Sequence, residues 1–117
     1  MSKIAEILKR KAERKARLEK ALDSVVEQLK GMGALRIVLF GSLARGDVDV
    51  NSDLDLFVIM PPTKTGKEWM GLIYDRVERR VASNIIVYNM REFEERLPTS
   101  GFIKNVMKGR VIYEKAA

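Results

Sequence analysis

Residues 41–59 read GSLARGDVDVNSDLDLFVI, and they gather the side chains of this chain best placed to do chemistry. A Gly-Ser pair, an Arg-Gly pair and two aspartates one residue apart, Asp53 and Asp55, stand directly against an apolar run. Two carboxylates at the mouth of a buried strand repel each other and resist desolvation, and a cation between them relieves both penalties. Side chains alternate along a strand, so Asp53 and Asp55 are expected on one face and Leu54 and Leu56 on the other. At the exit of the preceding apolar strand, Gly41 lets the backbone approach a ligand closely and Ser42 adds a hydroxyl. A helix beginning there turns free backbone N–H groups toward an anion, and Arg45 offers a positive charge to the same anion. A phosphate cradle beside a pair of metal-binding carboxylates is a device for handling a nucleoside triphosphate.

The rest of the composition narrows that chemistry. The chain has 117 residues, enough for one domain and too few for two ordinary ones. It contains no cysteine and no histidine, which excludes disulfides, thiolate metal sites and the commonest general base and zinc ligand. A metal here must be held by oxygen, which points to Mg²⁺ or Mn²⁺. The opening residues MSKIAEILKRKAERK lack the apolar core of a signal peptide, and no run approaches the ~20 apolar residues of a membrane span. A cytoplasmic protein without membrane contact is therefore expected. The formal charge of +6 is concentrated in residues 1–17, where seven Lys/Arg face only Glu6 and Glu13. The body of the chain is close to neutral.

The elements that must position the site follow from periodicity. Residues 3–30 hold no Pro or Gly and read as one long helix, with Leu18, Leu22, Val25, Val26 and Leu29 at packing intervals. The charged stretch KRKAERKAR interrupts that stripe, placing Lys11 and Lys15 where a coiled-coil seam wants apolar residues. Strands are expected at 35–40, 54–60, 84–88 and 110–114. Helices are expected at 65–82, through MREFEERL, and from Ser100 to Gly109, with a short one after the first strand. The expected class is α/β (α+β): a small mixed sheet of about four strands, helices packed mainly on one face, and a long helix in front. Residues 1–32 form that basic helix and residues 33–117 the body of a single domain.

FGSLARG followed by SDLDLFVI closely resembles the signature of the DNA polymerase beta-like nucleotidyltransferase superfamily, and more narrowly of the minimal nucleotidyltransferases (MNT). The resemblance extends more loosely over about residues 33–115. It implies a nucleotidyltransferase-like fold and an enzyme that binds a nucleoside triphosphate, ATP by expectation, and transfers AMP to an acceptor. It also implies that Gly41 and Ser42 bind the triphosphate and that Asp53 and Asp55 hold Mg²⁺. The family's third acidic residue, which completes the metal site and helps deprotonate the acceptor, aligns with Asn84. An amide brings no negative charge and cannot take the proton.

Two further readings stand beside the enzyme. One is a nucleotide-binding module, weakened in catalysis by Asn84, that acts through a HEPN-type partner; in any reading a domain this small leaves room for a partner or a homodimer to complete the site. The other is an RNA-binding accessory protein led by the basic residues 3–17. Ser52 reads as a turn or cap residue rather than a catalyst, and Lys64, Gly66 and Lys67 lack the full phosphate-loop pattern.

Overall fold

The computed structural model describes residues 2–116. Helix α1 (Lys3–Gly31) begins at Ser2, whose hydroxyl accepts from the Ala5 N–H at 3.1 Å. Its burial starts only at Leu18: Leu18, Ala21, Leu22, Val25, Val26 and Leu29 are buried, whereas Ile4, Ile7 and Leu8 remain 71, 47 and 60 % exposed. Fully burying one Leu or Val side chain is worth about 1.5–3 kcal/mol. The C-terminal half of α1 is thus firmly packed, and its first four turns project from the body.

Strand β1 (Arg36–Phe40) runs into the one-turn helix α2 (Gly41–Arg45), which Gly46 ends in the left-handed region at φ 79°. The loop to β2 (Leu54–Met60) is tied by Asp49 and Ser52: the Asp49 N–H donates to Ser52 Oγ at 2.9 Å, and the Asn51 N–H to Asp49 Oδ1 at 2.7 Å. Ser52 is accordingly a turn residue. After Pro61, helix α3 (Gly66–Arg76) opens with a capping box between Thr65 and Glu68. The Thr65 backbone and side-chain hydrogen bonds hold the Glu68 carboxyl below its usual range.

The helix expected over 65–82 stops at Arg76. Val77 and Val81 keep helical spacing, but the chain turns extended at Val77 because the Gln28 amide of α1 clamps Glu78. Gln28 Nε2 donates to the Glu78 carbonyl, and the Glu78 N–H donates back to Gln28 Oε1, both at 2.9 Å. Strand β3 (Ser83–Asn89), helices α4 (Met90–Arg96) and α5 (Gly101–Val106), and strand β4 (Arg110–Glu114) complete the fold.

Among the described residues the sheet has four strands in the order β3-β2-β1-β4. β1 is antiparallel to both β2 and β4, and β2 is parallel to β3. The larger core lies between α1, α3 and the face bearing Ile37, Leu39, Leu54, Leu56 and Val58. The opposite face carries a smaller cluster, with Val38, Phe57 and Ile59 under Phe93 of α4 and Ile103 and Val106 of α5. The two longest helices thus share one face of a mixed sheet. Among the described residues no helix is long and apolar enough to cross a membrane.

Candidate active site

Strand register decides what meets at one end of the sheet. Asp55 stands opposite Phe40 on one side and Asn84 on the other, while Leu39 stands opposite Arg110. A row therefore crosses the sheet end: Asn84 of β3, Asp55 of β2, the Phe40–Gly41 exit of β1, and the start of β4.

The Asp55 carboxylate bridges this row. Its Oδ1 accepts a hydrogen bond from Asn84 Nδ2 at 2.9 Å. Its other oxygen lies against Gly41, where an added Cβ would be driven into the carboxylate. Gly41 also has φ +75°, a conformation that L side chains rarely adopt. Two independent constraints thus require glycine at this one position. The first turn of α2 carries no side-chain cap.

A cleft of about 590 Å³ opens beside the row, within the range typical of small-molecule sites. Gly41, Ser42 and Arg45 form one wall, and Asp55 lies at its base. Arg45 Nε lies 3.3 Å from Asp47 Oδ2, with both side chains more than 60 % exposed. An exposed pair of this kind is worth about 0–1 kcal/mol, so a stronger anion can recruit the guanidinium. Asp53 precedes β2 by one residue and is half-buried; it does not line the cleft and makes no ion pair among the described residues. The site residues read from the sequence thus fall into three places. Gly41, Ser42, Arg45 and Asp55 share the cleft, Asn84 reaches it through Asp55, and Asp53 stands next to it.

Other acids do not replace Asn84. Glu92 Oε1 accepts from the Asn89 and Gly66 N–H groups at 2.8 and 3.0 Å, at the far end of β3. Asp75 and Glu94 lie exposed on α3 and α4. Among the described residues no three His, Cys, Asp or Glu side chains are grouped to hold a cation. Lys64 and Lys67 flank the start of α3, beyond the opposite end of β2 from Asp55.

The opposite wall of the cleft was not foreseen from sequence. It consists of Asn105, Val106, Lys108 and Gly109, from the end of α5 and the turn into β4. The turn sits tight on β1: a Cβ on Gly109 would strike the carbonyl oxygen of Leu39. Asn105 and Lys108, three residues apart before a glycine, were the available signal, but only the pairing of β4 with β1 carries them to the site.

No curated protein matches the sequence as a relative. A crystal structure of a candidate nucleotidyltransferase from Sulfolobus solfataricus superimposes with a TM-score of 0.65 at 18 % identity, covering 91 % of this chain and 88 % of that one. At that identity the likeness is one of fold. The family described as nucleotidyltransferase domain matches residues 18–113, beginning where α1 becomes buried. The chain belongs to the nucleotidyltransferase domain family.

Proposed function

We propose that this protein binds a nucleoside triphosphate together with a divalent cation in the cleft and transfers its nucleoside monophosphate, AMP from ATP, to a hydroxyl or phosphate acceptor. The observation that supports this reading is the fit between Gly41 and the Asp55 carboxylate, which sets a side-chain-free backbone against an acid of the kind that can hold a cation. The donor set suits Mg²⁺. Asp53 and Asp55 offer hard oxygens, and Mg²⁺ commonly binds one or two carboxylates and completes its shell with water and substrate phosphates. When bound, the cation neutralises phosphate charge and polarises the α-phosphoryl group.

The remaining work falls to the chain itself. Gly41 gives the phosphates access to the backbone, Ser42 offers its hydroxyl, and Arg45 exchanges Asp47 for phosphate oxygens. An acceptor oxygen attacks the α-phosphorus as the bond to the β-phosphate oxygen breaks, and pyrophosphate leaves. Asn84 cannot take the acceptor proton, which passes to Asp53, Asp55 or water. The chemical step is therefore slow.

The Asn84–Asp55 hydrogen bond also favours a second reading. In it the chain is a nucleotide-binding module whose output is a contact with a HEPN-type partner. Incubation with α-labelled ATP, Mg²⁺ or Mn²⁺ and a candidate acceptor separates the two. A labelled acceptor with pyrophosphate release supports transfer. Metal-dependent binding without release supports the module, and absence of nucleotide binding overturns both.

A further inference from the structure

We propose that Lys108, steadied by Asn105, is a phosphate-binding residue that grips the terminal phosphates and sets the direction in which the nucleotide lies. The inference rests on the reading of the cleft as a triphosphate site and names a residue on its unassigned wall. Arg45 and Lys108 are the cationic side chains lining the cleft, one on each wall. Arg45 is engaged with Asp47, whereas Lys108 is exposed and makes no ion pair among the described residues.

The backbone under Lys108 is fixed while its ammonium is not. The Lys108 N–H donates to the Asn105 carbonyl at 3.1 Å, and the Gly109 N–H to the Val106 carbonyl at 2.9 Å. Buried Ile103 and Val106 hold α5 on the sheet, and the edge-to-face pair Phe40–Phe102, with centroids 6.4 Å apart, ties it to the exit of β1. Lysine on such a support acts as a mobile point charge for phosphate.

The order of strands then gives the site a polarity. The Asp55 carboxylate occupies the β2 side of Gly41, and Lys108 lines the cleft on the β4 side. A polyphosphate tail keeps excess negative charge after one divalent cation binds, so it is drawn toward β4. The α-phosphate is left beside Asp55, open to an acceptor arriving from β3.

The test is a calorimetric titration of wild type, Lys108→Ala and Lys108→Arg with ATP, AMP and inorganic tripolyphosphate, all with Mg²⁺ present, alongside thermal melts. Losing a hydrogen bond to a charged group predicts that Lys108→Ala weakens Mg-ATP and tripolyphosphate by about tenfold or more. AMP affinity and the melting temperature should hold, and Lys108→Arg should restore most of the binding. Unchanged affinity for Mg-ATP and tripolyphosphate in Lys108→Ala overturns the inference, as does an equal loss for AMP. Wild type that binds tripolyphosphate but neither nucleotide overturns the nucleotide reading and with it the orienting role, while a loss of tripolyphosphate in Lys108→Ala then still supports Lys108 as a phosphate-binding residue. Wild type that binds none of the three overturns both.

Discussion

Gly41 and Asp55 share a space that has room for one carboxylate and no Cβ. Gly41→Ala must therefore displace the Asp55 side chain and strain a backbone at φ +75°. Holding a non-glycine residue in such a region costs about 1–3 kcal/mol. We expect the variant to stay folded, with a lower melting temperature and Mg-ATP binding lost; full binding in calorimetry would show that the cleft does not use this contact. Asn84 makes a second test at this scale. Asn84→Asp removes the donor to Asp55 and puts a like charge beside it, so the metal-free protein should melt lower. Added Mg²⁺ should then raise its melting temperature more than it raises that of wild type. General-base assistance is typically worth about 10²–10⁴-fold, so nucleotidyl transfer should rise at least about tenfold. A variant neutral in both measurements would mean that Asn84 does not occupy the third acidic position.

At the scale of elements, α1 divides where its burial begins. Residues 3–17 add no buried side chain, and the long-range hydrogen bond that ties them to the body among the described residues is Arg14 Nε donating to the Val50 carbonyl at 3.0 Å. Deleting residues 2–17 should leave the melting temperature within a few degrees and Mg-ATP affinity within about twofold, as for surface changes generally. If the arm is the route to RNA, binding should fall steeply with salt in the intact chain and vanish in the truncated one. RNA binding indifferent to either change would assign the arm another role. The same division shows what was legible in the sequence. Gly-Ser, Asp-x-Asp and the apolar strands are local signals, each carried within a few residues, and their strand assignments and the turn role of Ser52 follow directly. The end of α3 is not local, because the clamp on Glu78 comes from Gln28, far back in the chain. Lys108 is hidden for the same reason: its place depends on β4 joining the free edge of β1, a pairing that also brings Arg36 and Glu114 within 2.7 Å.

Across the whole molecule, the fold measures 55 × 30 × 24 Å, with charge gathered on a projecting helix and the cleft opening at one end of a four-stranded sheet. Asn84 is exposed on the edge strand β3, so the side from which an acceptor would come is open. A large acceptor, a partner protein or a second copy has access there. The proposed nucleotide site depends on the carboxylates at the start of β2, and the most direct test is a calorimetric titration of wild type and the Asp53→Asn/Asp55→Asn double variant with ATP, with and without Mg²⁺. The exchange keeps side-chain size and removes carboxylate repulsion, so the double variant should melt at or above the wild-type temperature. Wild type should bind ATP only with the metal, and the double variant should not bind it at all. Equal Mg-ATP affinity in the two proteins would contradict the assigned site.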